Sequence, residues 1–206
     1  MRQAEAPGLG HAVLCAEKLV GEGPFAVILA DDLLYSPTPV MKQLVNVFNH
    51  YHSSVVGVEA IARENSASYG VVDGREWEED IFKLSGIVEK PAPEVAPSNL
   101  GVVGRYVLMP TIFNHLRALK PGAGGELQLT DALQSLLTEE QVLGVSLYGH
   151  AFRLRQQARL SQGHGGVRTS PPGGEGRVRG LFANASAGCV GGGGMKRRRN
   201  AAEVLL

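Results

Sequence analysis

Phe25-Ala26-Val27-Ile28-Leu29-Ala30-Asp31-Asp32 decides the fold: six apolar residues run without interruption and stop at two carboxylates. A run this short and this continuous is expected of a strand buried on both faces, as in a parallel sheet, and is far below the roughly 20 residues that span a bilayer. Upstream, Ala12, Val13, Leu14, Ala16, Leu19 and Val20 read as a helix that starts after Gly8-Leu9-Gly10-His11 and stops at Gly21. Downstream, the apolar positions Leu44, Val45, Val47 and Phe48 predict a helix from Pro39 to about His52, and Ser54 to Ala62 a second buried strand. The order α, β, α, β favours a largely parallel sheet.

From Tyr69 the pattern shortens. Tyr69-Gly70-Val71-Val72-Asp73-Gly74 suggests a strand and turn, and Ile81 to Lys90 and Asn99 to Met109 two further strands. Thr111 to Leu119 reads as helix, Gly122 to Glu126 as a loop, Leu129-Thr130-Asp131 as the start of a helix with Thr130 at its N-cap, and Val142 to Tyr148 as a last strand.

Composition divides the chain near residue 152. Ten of the twenty Lys and Arg follow it, against two of the twenty Asp and Glu, so the body carries −8 and the remainder +8. Those last 54 residues hold twelve of the 27 glycines and no period-2 or period-3.6 repeat, which predicts a disordered Arg/Gly-rich tail over 153–206. Cys15 and Cys189 cannot build a disulfide framework, and the start MRQAEAPGLG lacks a signal-peptide pattern, so a soluble, cytoplasmic protein without membrane association is expected.

Local chemistry leaves alternatives open. Asp31-Asp32 at the end of a strand suits Mg²⁺, because carboxylate oxygens are hard ligands, but the commoner reading of such a pair is helix capping or a solvated loop. Glu89-Lys90-Pro91 offers a hydroxyl acceptor beside an anion contact, or a plain strand-end ion pair. The glycines at 8–10 and 122–125 could cradle phosphate or form turns. His11 reads as a helix-start or core histidine rather than a catalyst.

Taken in order, the strings GLGHAVLCA at 8–16, YGVVD at 69–73, VEKP at 88–91, APSNL at 96–100, GRYVL at 104–108 and ELQLTDA at 126–132 resemble bacterial UTP:glucose-1-phosphate uridylyltransferase. The resemblance covers residues 1–152. It implies an α/β, Rossmann-like nucleotidyltransferase fold with a mixed, mainly parallel sheet, and synthesis of UDP-glucose and pyrophosphate from UTP and glucose 1-phosphate. It further implies that Gln3 bonds the uracil edge, Gly8 lets the base lie flat, Asp31 binds Mg²⁺, Gly70 meets the sugar, Glu89 accepts glucose hydroxyls and Lys90 faces the sugar phosphate. Asp31 and Lys90 are thus the expected catalytic groups. Nucleic acid is not an expected partner, and the full-length family is expected to form homo-oligomers. A thymidylyltransferase or other sugar-phosphate nucleotidyltransferase would share Asp31, Glu89 and Lys90; a non-enzymatic fragment whose basic tail binds nucleic acid is the remaining alternative.

Two departures set the expectation for activity. The family opens with a G-x-G-T-R type triphosphate loop and a P-K-E-M-L-P type string, neither of which occurs here. Family members also continue past the position of Phe152 with a string like F-D-C-G-S-K-L-G-Y, carrying a second Mg²⁺ ligand. GC-rich codons chosen for that peptide and its continuation, read from the third base, give R-L-R-Q-Q-A-R-L-S-Q-G-H-G-G, which is residue for residue Arg153 to Gly166. The wobble bases in that reading are free, but any Asp-Cys codon pair forces Leu154. Residues 153–206 are therefore expected to be a frameshifted translation, and the 206-residue chain an inactive fragment.

Overall fold

The apolar run at 25–30 forms a strand, β1 (Phe25–Ile28), in the computed structural model, which describes residues 3, 7–122, 125–147 and 150–153, the last four through their backbone alone. The expected tail lies outside the described residues from 154 onward. Before β1 come α1 (Leu9–Cys15) and α2 (Glu17–Val20), a break at Ala16 dividing the single helix expected there, and Gly21 ends α2 at φ +70°. After it come β2 (Asp32–Tyr35), α3 (Val40–Tyr51), β3 (Ser54–Ala60), a 3₁₀ turn at Arg63–Ser68, β4 (Gly70–Glu78), β5 (Ile81–Glu89), β6 (Leu100–Leu108), α4 (Ile112–Ala118), α5 (Leu129–Leu136), β7 (Val142–Ser146) and β8 (His150–Arg153).

Six strands form one mixed sheet in the order β1-β6-β3-β7-β5-β4, and β2 pairs with β8 apart from it. The sheet is α/β and mixed as expected, but it is not mainly parallel: the parallel pairing among the described residues is β3 with β7, and β1–β6, β3–β6, β4–β5, β4–β6 and β5–β7 are antiparallel. The order α, β, α, β does make β1 and β3 run the same way, since both oppose β6. What local order could not reveal is that a strand from residues 100–108 inserts between them. For the same reason β1 is neither parallel to its neighbour nor buried on both faces. Phe25 and Val27 are buried and Ala26 and Ile28 half-buried, the alternation of a strand with one face on the core.

Two apolar clusters hold the layers together. The larger joins Val27, Val58, Val102 and Tyr106 of the sheet to Ile112, Leu116, Leu129, Leu133 and Leu136 of α4 and α5, and Phe25 stacks on Phe113 with centroids 4.9 Å apart. The smaller packs Val40, Leu44 and Phe48 of α3 against Val55, Val107 and Val145. Each wholly buried Leu or Val of these clusters contributes roughly 1.5–3 kcal/mol relative to exposure. Gly74 is not a turn residue: β4 runs on to Glu78, and Gly74 sits at a bulge where a Cβ would lie 2.6 Å from the Lys83 carbonyl oxygen. No helix among the described residues is long and apolar enough to cross a membrane.

Candidate active site

β6 runs past two of the stretches singled out in the sequence. A Cβ on Gly70 would meet Val102 at 3.7 Å, and one on Gly104 would meet Asp32 Oδ2 at 2.8 Å. The start of β4 and the β1–β2 turn therefore lie two residues apart along one strand. Gly104 takes φ +65°, a conformation favouring glycine, and so leaves room for the carboxylate.

Around Gly104 the chain is held by an arginine. Arg105 is buried in β6, and its guanidinium donates to the carbonyls of Leu29, Gly104 and Asp32. Burial pushes its pKa down while Asp32 and Asp31 oppose that shift. The turn so pinned buries Asp32 and leaves Asp31 half-exposed. A charge inside the otherwise apolar stretch 100–108 was the sequence signal for this contact, because a buried cation needs acceptors.

At Gly70 the geometry is closer still. Gly70 pairs with Glu89 across β4 and β5. Glu89 Oε1 takes Lys90 Nζ at 2.8 Å, and Oε2 accepts the Thr130 hydroxyl at 3.1 Å. Thr130 is not the N-cap it resembles locally. Gln128 holds that position, and Thr130 lies inside α5, buried, with its hydroxyl turned across to Glu89. Lys90 adopts φ +46° ahead of Pro91 while its amide donates to Tyr69 at 2.9 Å. A lysine held there costs on the order of 1–2 kcal/mol, and such residues concentrate at functional sites.

The glycine loops are occupied by the chain itself. Gly8 has φ +104°, and a Cβ there would lie 2.6 Å from the Leu127 carbonyl oxygen. Gly10 donates its amide to that carbonyl, Leu127 donates to Pro7, and Gly122 and Gly125 close a turn on Glu126 and Gly122. The Gly10, Gly122 and Gly125 amides are thus engaged in turns and loop contacts. Gln3 turns its amide to His11 Nδ1 (2.8 Å) and the Gly8 carbonyl (3.3 Å). Gly8 thereby sits against Glu126 and Leu127, which lead into α5, and Gln3 is held to it and to His11. An open cleft of about 430 Å³ on the β4–β5 hairpin, lined by Asp73, Arg75, Lys83, Ser85 and Gln141 among others, contains none of these residues.

For a metal, the donor set is sparse. Among the described residues no group of three His, Cys, Asp or Glu is arranged to hold an ion. Mg²⁺, however, is commonly held by one or two carboxylates together with substrate phosphates, and half-exposed Asp31 fits that role.

A family model described as nucleotidyl transferase matches residues 1–149. The chain belongs to this nucleotidyl transferase family. Among its relatives, this nucleotidyl transferase chain is 43% identical over 152 residues to the UTP–glucose-1-phosphate uridylyltransferase YngB of Bacillus subtilis, covering 74% of the chain and 51% of the relative. It is 44% identical over 153 residues to a UTP–glucose-1-phosphate uridylyltransferase of Pseudomonas aeruginosa, covering 73% and 55%. In structure it resembles UDP-glucose pyrophosphorylase complexed with UDP-glucose, with a TM-score of 0.72, 42% identity, and coverage of 74% of this chain and 59% of the other. A UTP-bound UGPase from Acinetobacter baumannii matches with a TM-score of 0.67 and 35% identity over 79% and 59%. The nucleotidyl transferase chain thus spans about half the length of the curated relatives it matches.

Proposed function

We propose that this chain carries the sugar-phosphate and metal side of a site that forms UDP-glucose and pyrophosphate from UTP and glucose 1-phosphate. The observation that carries the reading is the gathering of Gly70, Glu89 and Lys90 at the β4–β5 pair, in a chain over 40% identical to relatives bearing that activity in their names.

In the proposed reaction a phosphate oxygen of glucose 1-phosphate attacks the α-phosphorus of UTP in line. The new P–O bond forms as the bond to pyrophosphate breaks, so no covalent enzyme nucleophile is needed, and positioning with charge neutralisation supplies the acceleration. Glu89 accepts the glucose hydroxyls, the Gly70 backbone lets the sugar approach, and Lys90 faces the sugar phosphate. Gln3 and Gly8 take the uracil side. Asp31 would hold Mg²⁺, which when bound would supply charge neutralisation for the reacting phosphates.

Calorimetric titration of the 206-residue chain tests the reading. UDP-glucose is expected to bind saturably, more tightly than UDP alone, with Glu89→Gln abolishing the difference. Equal affinity for UDP and UDP-glucose, or no saturable binding, would sink it.

A further inference from the structure

Thr130 is set apart by what its side chain does inside a helix. Thr130 is the second residue of α5, and the carbonyls three and four residues back, those of Leu127 and Glu126, precede the helix and accept from Gly10 and Gly122. From there the hydroxyl crosses to Glu89 Oε2 at 3.1 Å, a partner 41 positions earlier in the chain. Its methyl reaches the other strand of the same pair, standing 2.9 Å from where a Cβ on Gly70 would lie. One buried side chain thus touches both members of the Gly70–Glu89 cross-strand pair.

Glu89 has three side-chain torsions, and fixing them costs up to about 2 kcal/mol of rotamer entropy. With Lys90 Nζ on Oε1 and Thr130 on Oε2, that ordering is complete before any ligand arrives. Lys90 is exposed and its ammonium can leave for an anion. Thr130 is buried and its position is set by a helix whose Leu129, Ala132, Leu133 and Leu136 are wholly or almost wholly buried.

We infer that Thr130 is a positioning residue for sugar recognition: its hydroxyl holds the Glu89 carboxylate toward the sugar hydroxyls, and its methyl fills the space over Gly70 that a larger residue there would need. The inference rests on the sugar-binding reading of Glu89 proposed above. It gives position 70 a packing reason to be glycine and position 130 a reason to carry both a hydroxyl and a methyl.

The test is the same titration with Thr130→Val, which keeps the volume and removes the donor. UDP-glucose affinity is expected to fall about tenfold or more, the scale of one hydrogen bond to a charged group, while affinity for UDP changes by less than about twofold. Thr130→Ser restores the hydroxyl and is expected to return UDP-glucose affinity to within about threefold of the unaltered chain. Should the valine variant fail to give a folded protein by circular dichroism, Thr130→Ser against Thr130→Ala carries the comparison, with the serine variant expected to bind about tenfold more tightly. Equal losses for UDP-glucose and UDP, unaltered binding by the valine variant, or a serine variant as weak as alanine would each overturn the role of the hydroxyl and leave the site reading intact. An unaltered chain that does not prefer UDP-glucose over UDP overturns the site reading, and the inference with it.

Discussion

Asp131 follows Thr130 in the first turn of α5, where a carboxylate is ordinarily favoured by the helix amides. Here burial, and then the neighbouring Glu89 charge, push its carboxyl above the usual aspartate value. The folded state therefore favours the protonated form. That contribution is complete below the unfolded-state pKa and is lost as pH rises through the raised folded one. Asp131→Asn removes the titration, so the stability of the unaltered chain minus that of the variant is expected to fall as pH rises from below the ordinary aspartate value of about 3.9 toward neutrality. Urea midpoints measured across that range check it, and a flat or rising difference contradicts it. At this scale the sequence was partly legible. Glu89 and Lys90 could be singled out because their string is short and contiguous, and the structure pairs them with each other, whereas Thr130 was read as a cap because capping is a local signal and its actual partner is 41 positions away.

Elements were legible where apolar pattern alone decides them. The stretches that became β3, β5, β6 and α3 were bounded to within about two residues, since continuous Val and Ile runs and a 3.6 period need no knowledge of neighbours. Strand direction was not legible, because pairing across 40 or more residues leaves no mark in either strand. The β2–β8 pair escaped for the same reason. Arg105 shows how such long-range order is held: from β6 it bonds carbonyls on both sides of the β1–β2 turn, more than 70 positions earlier. Replacing it with methionine leaves a similar apolar length but takes the donor from the Leu29 and Asp32 carbonyls and the compensating charge from Asp31 and Asp32. We expect a loss of roughly 2–4 kcal/mol in urea unfolding, with Arg105→Lys recovering part of it. A shift below about 0.5 kcal/mol would mean that the turn holds itself and that Arg105 is incidental.

For the whole molecule the question is which contacts of the proposed site the described residues supply. The groups expected to meet glucose and its phosphate converge, but a UTP triphosphate needs several donors aimed at it, and the glycine amides best suited to the task are engaged: Gly10 with Leu127, Gly122 with Glu126, Gly125 with Gly122. Among the described residues no group of three His, Cys, Asp or Glu is arranged to hold a metal against those phosphates. Binding of the finished sugar nucleotide asks less, since uracil and glucose contacts can hold it while the reacting phosphates are unsupported. We therefore expect the 206-residue chain to bind UDP-glucose yet form none from UTP, glucose 1-phosphate and Mg²⁺. A version preceded by a G-x-G-T-R type segment, and carrying the family-like F-D-C-G-S-K-L-G-Y string in place of residues 153–206, is expected to turn over. Coupled pyrophosphate release, measured on both proteins side by side, decides it. Comparable rates would show that the residues described here already neutralise the triphosphate, and would move the search for its donors back to Lys90, Arg105 and the loops at 8–10 and 122–125.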